Sequence, residues 1–118
     1  LWIEIDPYDP LIAEHYLNLA EAHYLAGNQE TGVSYWDSAV TIIDGAYKFN
    51  LDEYNYFYDL GDYGTAWGFG MDLLDMYYGL AYAYELRKNL GGPIEYQYQD
   101  PNYWYAMAND LDGILQQL

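Results

Sequence analysis

Residues 16–39, YLNLAEAHYLAGNQETGVSYWDSA, read as two helices that meet at a tight turn around Gly27-Asn28. On the first, Ile12, Tyr16, Leu19, Ala20 and His23 recur at steps of three and four. That spacing aligns them in one stripe, because a helix turns once per ~3.6 residues. Ala20 is small where a neighbouring helix presses closest. Gly27 supplies the left-handed backbone that ends a helix. On the second helix, Val33, Trp36, Val40, Ile43 and Tyr47 form an unbroken stripe, with Ala39, Ile42, Ala46 and Phe49 beside it. A stripe this wide predicts a neighbour on each side.

Working outward, Asp9-Pro10 reads as a helix start, with Asp9 as cap and Pro10 in the first turn. The first helix then runs to about Ala26. Asn28 or a near neighbour caps the second, which is expected to end around Lys48–Asn50. Upstream, residues 1–8, LWIEIDPY, alternate apolar and polar and suggest a short extended arm carrying Trp2. Such an arm gains most by pairing with another subunit. Downstream, residues 50–65, NLDEYNYFYDLGDYGT, are acidic, aromatic and punctuated by glycine. They read as a long loop, with room for one helical turn near Leu51–Phe57, and such a loop in a small domain is often functional.

A third helix is expected from Thr65–Phe69 to about Asn89, with two apolar stripes: Met71, Leu74, Tyr78 and Ala81, and Leu73, Tyr77, Leu80 and Tyr84. Gly68, Gly70 and Gly79 weaken it but let a partner backbone approach. Gly91-Gly92-Pro93 stops it. Residues 94–99, IEYQYQ, alternate and suggest an extended segment. Asp100-Pro101 repeats the start signal for a fourth helix with Trp104, Met107, Leu111, Ile114 and Leu118 on one face.

The central stretch resembles a tetratricopeptide repeat. Tyr16, Leu19, Ala20, Gly27, Gly32, Trp36 and Ala39 stand at positions matching that family's pattern. His23 replaces the usual mid-helix Tyr, and Asp44 the closing Pro. One copy, over about residues 13–44, is present against a period of about 34 residues, and the pattern fails over residues 46–79. The resemblance implies helical hairpins and a role in protein interaction. The expected architecture is therefore all-α: a tetratricopeptide-like four-helix bundle of two hairpins, residues 10–49 and 66–118, in a single domain. The arm (1–8) and the acidic Tyr-rich loop (50–65) complete it.

The 118 residues suit one domain with a real core. No stretch is apolar for long enough to span a bilayer. The chain begins at Leu1 rather than Met and shows no leader pattern, which suggests a processed, trimmed or incomplete chain. Cysteine is absent, which excludes disulfides and thiol chemistry. Three basic residues against 19 acidic ones give a net charge of −16. Nucleic acid and anionic lipid are repelled, whereas cations, basic proteins, neutral glycans and further copies of the chain remain as partners. Seventeen tyrosines offer apolar rings with polar tips, suited to wet interfaces. That composition fits an extracellular or surface protein, with a cytoplasmic one as the alternative.

No catalytic signature stands out. His15 and His23 are eight residues apart, and no zinc-type spacing occurs. No Gly-x-Ser-x-Gly or Lys-bearing phosphate loop is present. Glu14, Glu21, Asp59, Asp62, Asp72 and Asp75 supply carboxylates for glycoside chemistry, but none is marked out from the other acids. Asp52, Glu53, Asn55, Asp59 and Asp62 are hard oxygen ligands for calcium, although the EF-hand spacing is not met and a solvated acidic loop is the simpler reading. Tyr54, Tyr56, Tyr58, Tyr63 and Trp67 form either a sugar-stacking platform or loop packing. The expected function is a non-enzymatic structural or interaction module, with no cofactor beyond possible calcium. In that reading it self-assembles into a homo-oligomer or filament through Trp36, Tyr77, Tyr84 and Trp104. The alternatives are an acidic adaptor or chaperone for a basic protein, and a carbohydrate-binding domain.

Overall fold

The structure, a computed structural model, describes residues 10–92 and 94–118. The predicted arm, its Trp2 and the Asp9 cap lie outside the described residues. Four helices follow one another: α1 (Pro10–Leu25), α2 (Gln29–Asp59), α3 (Tyr63–Asn89) and α4 (Pro101–Leu115). A 3₁₀ turn, Gln97–Gln99, precedes α4. Among the described residues there is no strand, so the all-α expectation stands. Each helix packs mainly on the next in sequence, and α1 also touches α3. The result is a slab with extents of 51 × 42 × 18 Å.

The three inter-helix breaks share one device. Gly27, Gly61 and Gly91 have φ of 89°, 78° and 89°. After each, two backbone amides reach back to the last helical turn. Asn28 N donates to His23 O at 2.8 Å, Asp62 N to Phe57 O at 3.0 Å and Gly92 N to Arg87 O at 2.9 Å. This is the Schellman closure, which needs a left-handed residue and so favours glycine. At two of the breaks the next residue starts the following helix. Asp62 accepts from Thr65 N at 3.2 Å and from Thr65 Oγ1 at 2.8 Å. Asn28 occupies the same position but makes no side-chain cap bond. Asp100 does cap α4, accepting from Asn102 N at 3.0 Å.

The expected loop at residues 50–65 is corrected by this pattern. Residues 50–59 continue α2, which does not end at Lys48–Asn50, and only Leu60–Asp62 turn. The reason is periodic. Ile43, Ala46, Leu51, Tyr54 and Phe57 keep a buried or half-buried face turned to the core. Tyrosine hides that period because its polar tip makes an apolar position read as mixed. The two-hairpin division gives way to a long central pair, α2 and α3, with α1 beside α2 and α4 beside α3. Residues 94–99 are also corrected. Only Tyr96 is described as extended before the 3₁₀ turn. Gln99 Oε1 accepts from Glu95 N at 2.9 Å and Tyr96 N at 3.1 Å, which draws the segment into a turn.

On α3 the second expected stripe, Leu73, Tyr77, Leu80 and Tyr84, is buried throughout. Of the first, Leu74 and Ala81 are buried, while Met71 and Tyr78 are exposed. The α1 stripe is shifted by one residue: Ala13, Leu17 and Ala20 form the core contact. On α4 the buried face is Trp104, Ala108, Leu111 and Leu115, and Ile114 and Leu118 are exposed.

Of Gly68, Gly70 and Gly79, only Gly70 is closely approached, where a Cβ would meet the Leu115 and Tyr54 side chains at 2.5 and 3.2 Å, and the close backbone approach falls instead on Gly32. A Cβ there would lie 2.9 Å from the Ala20 carbonyl oxygen, and backbone cannot give way. At Gly79 a Cβ would meet only Ile43 methyls, at 3.6 and 3.7 Å. Gly32→Ala is therefore expected to destabilise by about 1–2 kcal/mol, as overpacking does. Gly79→Ala is expected to stabilise by up to about 1 kcal/mol through helix propensity. Urea unfolding midpoints of the two variants should move in opposite directions.

Candidate interaction site

The α2–α3 pair has two distinct ends. At the first, where α2 turns into α3, rings cluster on both helices. Tyr58 lies 5.8 Å from Tyr54 and 5.3 Å from Tyr63. Phe57 stacks on Phe69 at 5.6 Å, and Phe69 meets Phe49 at 6.3 Å. Tyr54 faces inward, and its phenol pKa is raised by burial and then by the neighbouring Tyr58. Tyr56 (59% exposed), Tyr58, Leu60, Tyr63 and Trp67 (47% exposed) face out. Asp59 and Asp62 bracket the turn, Asp52 and Glu53 lie about two turns back on α2, and in sequence no Lys or Arg lies between Lys48 and Arg87.

At the second end, a groove of about 500 Å³ opens between the later part of α1, the start of α2, the end of α3 and the segment before α4. Trp36 is its centre. The Trp36 Nε1–H donates to Ala83 O at 2.9 Å, tying α2 to α3. The indole edge meets Tyr84 at 5.5 Å, and the Arg87 guanidinium lies 5.9 Å from the indole centroid. Gly92 makes room for that arginine, since a Cβ there would stand 2.6 Å from Arg87 Cγ. Burial, first, and the negative charges of Tyr98, Asp44 and Asp37 push the Tyr84 phenol up, while Arg87 opposes them. The outer wall is held by Trp104, whose Nε1–H donates to Tyr98 O at 2.6 Å. Leu25, Val33, Ile94, Tyr96 and Tyr98 are exposed around this end.

The structure thus sorts the expected contact residues into three groups. Trp36 lines the groove, while Tyr56, Tyr58, Tyr63 and Trp67 lie at the tip. Tyr77 (5% exposed), Tyr84 (6%) and Trp104 (6%) lie in the core, with Tyr54 beside them. Their rings pack against this chain's own helices and are not displayed as anchors, although Tyr84 also lines the groove. His23 stacks on Tyr35 at 5.3 Å, inside the α1–α2 hairpin as its spacing implied. The calcium reading loses its loop: Asp52, Glu53, Asn55 and Asp59 stand on a helix, and Asp62 caps the next. Among the described residues no three His, Asp or Glu side chains gather as a group able to hold a metal. Of the acids considered for glycoside chemistry, Glu14 and Asp75 share a second groove of about 450 Å³ between α1, α2 and α3.

Arg87, Tyr98 and Leu60 were not singled out from the sequence. The signal for Arg87 was present, since Arg87-Lys88 holds two of the chain's three basic residues. Among the described residues, no helix is long and apolar enough to cross a membrane. Compared with known proteins, the chain matches no family model, no curated protein and no solved structure.

Proposed function

We propose that this chain is a non-enzymatic, tetratricopeptide-like structural module that assembles with copies of itself into a homo-oligomer or filament, outside the cell or on its surface. The observation that carries the reading is the ring cluster at the α2–α3 tip. A contiguous set of large apolar side chains left on the surface marks an interaction site more often than chance. Tyr and Trp are the side chains that dominate packed contacts. Light scattering across a concentration series tests it. Particles well above the 13.7 kDa of one chain are expected, and they should survive high salt, because ring burial is not screened. A strict monomer at millimolar concentration overturns the proposal.

The charge of −16 favours a second reading, an acidic adaptor for a basic protein. In that case a polylysine peptide should bind and be released by added salt, because exposed charge attraction is screened within about 10 Å at 0.1 M.

A further inference from the structure

We infer that assembly is head-to-tail: the aromatic tip of one copy docks into the Trp36–Arg87 groove of the next. The inference rests on the self-assembly reading above and specifies its two surfaces. A chain with three basic and 19 acidic residues repels itself in most orientations. Contact between copies is tolerated where the acids of one meet the scarce cations of the other. Two of the three cations, Arg87 and Lys88, stand together in the last turn of α3, and Arg87 lines the groove together with one acid, Asp37. The tip is the complementary partner, since Asp59 and Asp62 flank its exposed Tyr63 and Trp67.

Apolar surface matches as well. The groove is walled by Trp36, Tyr84 and Tyr98, and Val33 lines it and is exposed. A volume of about 500 Å³ admits an aromatic side chain together with the turn that carries it. The tip and the groove lie at opposite ends of the same two helices. α3 has 27 residues, so at 1.5 Å per residue the ends are separated by roughly 40 Å. Two different surfaces at opposite ends form a heterologous contact, which repeats into a ring or an open filament and does not close as a simple dimer.

Complementation between two blocked variants tests this. A tip variant carries Tyr63→Ala and Trp67→Ala. A groove-rim variant carries Lys88→Glu and Tyr98→Ala, all at exposed positions, and circular dichroism confirms that both fold. Each alone should associate roughly thirtyfold or more weakly than the unaltered chain, as loss of aromatic anchors implies. Mixed one to one, they should form particles of two chains and no larger, because each retains one working end. If either variant assembles as the unaltered chain does, or the mixture stays monomeric while the unaltered chain assembles, the head-to-tail contact is refuted and self-assembly stands. If the unaltered chain is itself monomeric, both fail together.

Discussion

Replacing Trp104 with alanine is expected to remove about 3–5 kcal/mol of stability, the range for truncating a buried large aromatic. Trp104 joins α4 and its preceding turn to the rest of the molecule. Its ring lies 5.6 Å from Tyr47, 6.0 Å from Tyr77, 6.5 Å from Tyr84 and 5.0 Å from Tyr103. Those four come from α2, α3 and α4, so the indole is where three helices meet. Its Nε1–H also holds the Tyr98 carbonyl, which fixes one wall of the groove. A domain of this size has only about 5–15 kcal/mol in total, so the variant should be marginal at 37 °C. Its melting temperature should fall by roughly 15 °C or more. Trp104→Phe keeps part of the ring contact, leaves a smaller cavity and loses the hydrogen bond, so a loss of about 1–3 kcal/mol, below that of Trp104→Ala, is expected. Trp67→Ala, at the exposed tip, should stay within about 0.5 kcal/mol of the unaltered chain. Urea unfolding of the three variants separates the two roles of tryptophan. Equal losses at positions 104 and 67 would contradict the assignment of one to the core and the other to the surface.

The same contrast shows what the sequence made legible. Periodicity found all four helices, because Val, Leu, Ile and Ala at steps of three and four have no other simple reading. It failed over residues 50–59, where the inward positions are filled by Leu51, Tyr54 and Phe57 among Asp, Glu and Asn. Composition there suggested a loop, although the spacing was helical. The corrective signal was the turn itself. Gly61-Asp62 repeats Gly27-Asn28, and each pair closes one helix and starts the next. The contact residues divided for a related reason. A sequence reports that Trp and Tyr are large and amphipathic, but not which neighbours surround them. Tyr77 and Tyr84 are enclosed because α4 folds back over α3. Tyr63 and Trp67 remain open because α4 ends at Leu115, which lies against Gly70, one turn beyond Trp67. The groove was the least legible feature. It depends on four separate segments meeting and on Gly92 making room for Arg87, a relation that no local pattern encodes.

Alkaline pH should unfold the chain cooperatively between about pH 10 and pH 12. The phenol of Tyr77 is pushed up to about 12, by burial first and then by the neighbouring Tyr47, Tyr103 and Tyr54. Burial also raises Tyr47, Tyr54 and Tyr84. Tyr105 is raised chiefly by its hydrogen bond to Glu85, at 2.9 Å. In each case the fold favours the neutral phenol, whereas tyrosines in the unfolded chain ionise near 10. Below that value both states are protonated and the stability is intact. Above it the unfolded state releases protons that the folded state retains, so stability falls with rising pH until the folded groups also ionise. One fully retained proton corresponds to about 1.4 kcal/mol per pH unit. The other raised phenols act in the same direction, so the stability of a marginal domain falls through this range. Seventeen tyrosines on a chain already at −16 add self-repulsion in the same direction. Tyrosinate absorbance and far-ultraviolet circular dichroism, followed against pH, should show Tyr77 and the other enclosed phenols ionising in a step that coincides with the loss of helix. Tyr77→Phe keeps the ring and removes the ionisable group, so its midpoint should move to higher pH. Gradual ionisation of every tyrosine with the helices intact past pH 12 would mean that these phenols are not enclosed, and the core drawn around Tyr77, Tyr84 and Trp104 would have to be abandoned.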